Sequence, residues 1–229
     1  MHVKQFIPIH LVVVLLLFCS CETEESDLVE QQQIFVAYDL FYNENEDTTR
    51  ATVIFTFGNR TGTRLVLSEG ATIRYDNTPM TYDNVLGLYS LEIAGYDAMG
   101  TFVYEDLEAN TFTNAVSLNP ISFDNTVPET IDRSESYEIG WVGNTVATDL
   151  EVVVVTVVPN NLGQTTIFSQ NNREATTVLL TSDRLLEIDP QPAELVIERI
   201  AEQPVLESSA AGAVITSRYR ANVISIAIE

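Results

Sequence analysis

The chain has 229 residues, 45% of them hydrophobic, and a formal net charge of −22 at pH 7. So acidic a chain favours solubility and opposes binding to nucleic acid or to an anionic membrane surface. Both histidines (His2, His10), the single lysine (Lys4) and one of the two cysteines (Cys19) fall in the first twenty residues. A chain starting at residue 21 therefore has no histidine, no lysine and no cysteine beyond Cys21, so it lacks the usual base of Ser/His and Cys/His sites, the set of nitrogen and sulfur ligands a zinc site needs, and the amine of Schiff-base catalysis.

The N-terminus has three zones: a start carrying Lys4, an apolar stretch from Phe6 to Phe18, and the sequence CSCETEESD. This order predicts a secretory signal peptide over residues 1–20. The apolar stretch falls short of the roughly 20 residues a membrane-spanning helix needs. Cys19 and Cys21 are too close to adopt disulfide geometry easily. The segment LLLFCSC resembles a bacterial lipobox, with Ser20 in the small position and Phe18 where leucine is usual. The resemblance implies cleavage after Ser20 and lipid attachment at Cys21, with a diacylglyceryl group and usually an N-acyl chain. Two or more acyl chains anchor a protein stably without any spanning segment. The acidic run behind Cys21 resembles the export signal of some Gram-negative surface lipoproteins, which implies the outer membrane and an outward face. Residues 21–33 read as an acidic flexible tether.

From Ile34 the pattern is all β. Short runs rich in Val, Ile, Thr, Tyr and Phe alternate with turn formers, the rhythm of a sandwich or barrel. In ATVIFTF, Val53, Phe55 and Phe57 share one face and Thr52 and Thr56 the other. The stretch GTFVYED–LEAN–TFTNAVSL resembles the closing hairpin of bacterial immunoglobulin-like modules, a likeness covering residues 30–119. We expect two tandem antiparallel β-sandwich domains, 34–119 and 137–229, joined by a linker over 120–136 that contains Pro120 and Pro128. Within the second, LEVVVVTVV predicts a central strand buried on both faces. A short helix is expected near SDRLLEI, capped by Ser182 or Asp183. The pleat must shift near Ala221–Asn222, because Ile215 and Tyr219 differ in parity from Ile224, Ile226 and Ile228.

Several residues could carry function. Asn43, Asn45 and Asp47 alternate as in a calcium loop, but Thr48 and Ile54 stand where an EF-hand needs glycine and a bidentate acid, so an acidic hairpin loop is expected. Trp141 could stack on a sugar ring or belong to the core. Arg218 and Arg220 share a strand face and could clamp a carboxylate or sulfate, or pair with acids across strands. Tyr75, Tyr82, Tyr89, Tyr96 and Tyr104 could form an exposed aromatic patch or half-buried strand positions. Asn59-Arg60-Thr61 matches a glycosylation sequon and is read as a turn. No catalytic, metal or cofactor site is expected. The reading is a lipid-anchored binding, adhesion or scaffold module with a protein or glycan partner. Its alternatives are a glycan-binding accessory of an outer-membrane uptake system and a carboxylate-based glycoside hydrolase.

Overall fold

The computed structural model describes residues 23–125, 127–161 and 163–229, which fold almost entirely as β-structure. The first half contributes β1 (Thr23–Glu25), β2 (Ile34–Asn43), β3 (Thr48–Phe57), β4 (Arg64–Val66), β5 (Thr72–Tyr75), β6 (Thr78–Pro79), β7 (Thr81–Asp83), β8 (Leu88–Ala94), β9 (Met99–Glu105) and β10 (Thr111–Ser117). The second half contributes β11 (Ile121–Phe123), β12 (Thr130–Ile131), β13 (Tyr137–Gly143), β14 (Glu151–Pro159), β15 (Thr166–Gln170), β16 (Thr177–Leu180), β17 (Gln191–Gln203), β18 (Ala213–Arg220) and β19 (Ile224–Ile228). A four-residue helix, α1 (Ser182–Leu185), precedes β17. Its N-cap is Thr181, one residue earlier than expected.

The period of two seen in the sequence becomes the two faces of a sheet. In β2, Ile34, Val36, Tyr38, Leu40 and Tyr42 are buried while Phe35, Ala37, Asp39 and Phe41 are half-buried on the other side. Ala51, Val53 and Phe55 of β3 continue the inner face. That face packs on a second sheet of order β10-β9-β5-β6. Tyr38 meets Phe102 with ring centroids 5.0 Å apart, and Phe55 meets Tyr104 at 4.8 Å. In the second half Val153, Val155 and Val157 of β14 and Leu195 and Ile197 of β17 share the core with Ile139, Trp141, Val178 and Leu180 of a three-stranded sheet, β11-β13-β16. The fold is an all-β sandwich. β14 is central, between β15 and β17. It is not buried on both faces, however: Val152, Val154 and Val158 are half-buried. An antiparallel sheet here has one covered face, and β-branched side chains suit either side of a pleat.

The large sheet does not stop at the boundary between the halves. Its order is β1-β4-β3-β2-β18-β17-β14-β15, and β2 and β18 run parallel from Val36↔Ala213 to Asn43↔Arg220. β1–β4 and β12–β19 are also parallel, so the sheet is mixed rather than purely antiparallel. Polar clasps reinforce the junction. Asn114 of β10 is fully buried; its Oδ1 accepts from the Leu206 amide at 2.9 Å and its Nδ2 donates to the Glu207 carbonyl at 2.8 Å. At the other end Asn45 donates to the Ala221 carbonyl and accepts from the Val223 amide. The stretch read as a linker supplies β11, paired with β13, and β12, paired with β19. The expected pleat shift lies at 221–223, where the ladder breaks between β18 and β19 along one edge of β17.

Residues 23–33, expected as tether, lie against the fold instead. β1 extends the β4 edge, Ser26 is fully buried and accepts from the Ser68 amide, and Gln31 bridges the Ser26 carbonyl and the Leu107 amide. An otherwise open edge strand thereby gains a partner.

One buried ion pair sits in the second half. Arg199 is 2% exposed and Glu151 4%, with Nη1 2.8 Å from Oε1. The second Glu151 oxygen accepts from the Ala147 amide at 2.7 Å, and Arg199 also donates to the Asn144 carbonyl, which accepts the Trp141 indole N–H as well. Burial pulls the Arg199 pKa down against the opposing pull of Glu151.

The core is rich in tyrosine, and burial raises these phenols. Tyr42 and Tyr219 are each pushed up to about 12, chiefly by burial and then by neighbours such as Asp47 and Glu44 respectively. Tyr38, Tyr75 and Tyr104 go higher for the same leading reason. A raised folded-state pKa keeps its full stabilising contribution below the unfolded value near 10 and loses it as pH climbs through the folded value. Stability should hold to about pH 10 and collapse near and above pH 12. Tyrosinate absorbance and circular dichroism should change together; smooth phenol titration near pH 10 with the dichroism intact would contradict this.

Candidate functional site

The outer face of the large sheet is the candidate site. Register aligns its side chains in rows across the strands. One row reads Glu202–Thr216–Asp39–Thr52–Ser90 across β17, β18, β2, β3 and β8. The next reads Ile200–Arg218–Phe41–Arg50–Glu92 over the same strands. On the other side Val214, Ala37 and Ile54 form an apolar row. Five inter-strand steps, from β8 to β14, span roughly 24 Å.

The face is walled as well as patterned. The turn between β3 and β4 folds over it, held by Asn59, whose Oδ1 accepts from the Thr61 amide and hydroxyl at 2.9 Å each. Thr56 Oγ1 donates to the Asn59 carbonyl at 2.7 Å. A Cβ on Gly62 would sit 1.8 Å from the Phe57 carbonyl oxygen, so only glycine closes this turn. Beneath lies an open hollow of about 570 Å³, floored by Ala37, Thr52, Ile54, Val214 and Thr216 and edged by Asp39, Arg60, Arg64 and Arg218. A second hollow of about 420 Å³ continues past Phe41, Arg50 and Glu92 to the β7–β8 hairpin, and shares Asp39, Thr52 and Arg218 with the first. A third adjoins it through Arg60 and Thr216. Together they form a trough.

Its electrostatics differ from those of the chain as a whole. Arg50, Arg60, Arg64, Arg218 and Arg220, five of the eleven basic residues, lie on this face. Asp39 takes a bidentate pair from Arg218, at 3.0 and 2.8 Å. Partial burial works against the Arg218 charge, but the bonds to Asp39 outweigh it and the net shift is upward. Arg220 pairs with Glu198 at 2.8 Å and Arg50 with Glu92 at 2.7 Å. Phe41 lies under two guanidinium groups, 4.5 Å from Arg218 and 5.5 Å from Arg220. Arg60 reaches a carboxylate, that of Glu202, only at 3.6 Å with its own side chain 62% exposed. Arg64 donates to the Leu86 and Gly87 carbonyls and has no acidic partner among the described residues. The first hollow thus combines three arginines with one carboxylate.

The structure separates the residues that the sequence offered. Arg218 lines the trough and Arg220 lies on the same sheet face, each in a cross-strand ion pair. Trp141 is 6% exposed in the core, with its indole N–H donated to the Asn144 carbonyl. Tyr75, Tyr89 and Tyr104 are buried, Tyr82 is half-buried and packs on Tyr89, and Tyr96 leans on Tyr42 and Tyr219. Asn43 and Asp47 are spent on the β2–β3 turn, through the Asn45 amide and the Tyr42 hydroxyl. Asn59-Arg60-Thr61 is a turn. Cys21 and the signal segment lie outside the described residues. Asp39, Thr52, Arg60, Arg64 and Thr216 were not singled out from sequence. For Asp39, Thr52 and Thr216 the signal was a polar residue in the outward phase of an otherwise apolar strand; Arg60, in a turn, and Arg64, in a three-residue strand, carried none. No family model matches the chain, and no curated protein matches it.

Proposed function

We propose that the protein is a lipid-anchored, non-enzymatic binding module of the outer membrane or cell surface, with the outer face of its large sheet as the contact surface. The observation that carries this reading is the walled trough, lined by four arginines, Arg50, Arg60, Arg64 and Arg218, in a chain of net charge −22. Asp39 and Glu92 in the trough, and Glu198 on the same sheet face, are each bonded to an arginine, which suits a fixed recognition surface better than acid–base exchange. The anchor is Cys21, as the lipobox resemblance implies. Detergent capture of the lipidated protein tests partner and anchor together. The Cys21→Ala variant should lose acyl labelling, and Thr52→Glu, which places a charge on the trough floor, should lose the captured partner. Unchanged labelling would end the anchoring reading, and unchanged capture would move the contact surface elsewhere.

A second reading, a glycan-binding accessory of an uptake system, is favoured by the free hydroxyls of the trough floor.

A further inference from the structure

We infer that the tip of the β7–β8 hairpin, Val85 and Leu86, dips into the headgroup layer of a zwitterionic lipid bilayer beside the lipid anchor, so that the protein meets its membrane at one fixed corner. The inference rests on the anchoring reading above and adds to it a second contact, made by the protein itself.

Three observations meet at that corner. First, the tip is apolar and bare. Val85, 88% exposed, is the most exposed large apolar residue among those described, and its neighbour Leu86 is 58% exposed. Phe57, at the end of β3, is 42% exposed. Water opposes leaving consecutive apolar side chains in it, and a lipid interface removes that cost.

Second, the backbone of the tip brings its own partners. Asp83 Oδ1 accepts from the Val85 and Leu86 amides at 2.8 and 3.0 Å, and the Gly87 amide donates to the Asp83 carbonyl at 2.8 Å. The Leu86 and Gly87 carbonyls accept from Arg64. A Cβ on Gly87 would stand 3.0 Å from the Arg64 Nη1, so glycine lets the guanidinium lie against the tip. A loop entering lipid needs its peptide groups bonded, because hydrocarbon offers them nothing.

Third, the tip lies where the chain enters the fold. β8 pairs antiparallel with β3 from Thr49↔Ile93 to Val53↔Tyr89, so the residues before Tyr89 run on toward the C-terminal end of β3. There Thr56 pairs with Arg64, and Arg64 is in register with Thr23 on its other side. Arg64 thus joins the hairpin tip to the entering strand. Cys21 stands two residues before Thr23, a reach of no more than about 7 Å. Anchor and tip leave the fold together. Two side chains are too few to hold a protein on a bilayer, so the acyl chains hold and the tip orients. The net charge of −22 opposes anionic headgroups, which makes zwitterionic lipid the occupant.

The test uses the full lipidated chain, purified in neutral detergent and inserted into preformed phosphatidylcholine vesicles. With Cys19 removed in the signal and Cys21 capped by lipid, one introduced cysteine takes an environment-sensitive dye. It is placed at Asn84→Cys in the tip or, as control, at Glu46→Cys in the β2–β3 turn at the opposite end of β3; both positions are exposed. On vesicles the dye at 84 should shift to the blue and be quenched by aqueous iodide about five-fold less than the dye at 46. Adding Val85→Asp should bring quenching at 84 to within about two-fold of that at 46, with acyl labelling unchanged. Val85→Cys carries the dye instead should Asn84→Cys misfold by circular dichroism. Equal quenching at the two positions on an acyl-labelled chain would overturn the seat and leave the anchor standing. Shielding at 84 that survives Val85→Asp would overturn it too, because something other than the apolar tip would then be covering that corner. A chain that takes no acyl label removes anchor and seat together.

Discussion

Truncating Glu151 to alanine is expected to destabilise the protein by about 3–5 kcal/mol, the cost of leaving a buried charge without its partner. The substitution strips Arg199 of the one carboxylate paired with it among the described residues, while that side chain remains 2% exposed. It also leaves the Ala147 amide without its acceptor. The Arg199 Nε already has no partner among the described residues, so the site has no slack to absorb the loss. The double variant Glu151→Leu with Arg199→Met removes both charges and should recover most of the deficit, since apolar replacement of a whole buried pair is often neutral or better. Guanidinium chloride unfolding of the three proteins decides it. A single-variant loss below about 1 kcal/mol would show that water reaches the pair.

The second large effect concerns the junction. The full chain should unfold in a single transition, with intrinsic fluorescence and circular dichroism coincident. A fragment covering residues 23–119 should fail to fold as a soluble monomer. Cutting there exposes the edge of β2 from Val36 to Asn43 and removes the β18 side chains Ile215 and Tyr219, which belong to the same buried cluster. It also orphans both polar atoms of the buried Asn114 amide that the 206–207 segment satisfies. An unpaired, largely apolar edge eight residues long invites association with other chains. Two resolved transitions, or a monomeric folded fragment, would show that each half is stable alone.

How much of this was legible in the sequence varies with distance along the chain. The inward phase of β2, of β3 as far as Phe55 and of β9 could be read from alternation, because each strand carries its own record of which face is buried; at the end of β3 the turn covers Thr56 and leaves Phe57 exposed. The interruption at 221–223 was visible for the same reason, as a change of parity. What no local pattern holds is the partner strand. Asp39 looked like one polar residue in IFVAYDLFY until the parallel register placed Thr216 on one side and Thr52 on the other. Arg60 and Arg64 lay in a turn and a three-residue strand, too short to show a face. Glu151 and Arg199 are inward charges in apolar strands, 48 residues apart, and only pairing explains them.

The ordering of residues 23–33 bears on how the molecule would sit at a membrane. β1 begins at Thr23, two residues beyond Cys21, and at about 3.5 Å per residue the chain between them reaches no more than about 7 Å. Thr23 is in register with Arg64, at the wall of the trough. On the proposed anchoring, the sandwich is therefore moored rather than leashed, with the β1–β4 edge held down at the lipid surface. The trough would open sideways along the membrane plane, so its ligand would be met within the layer just above the headgroups rather than drawn from bulk solution.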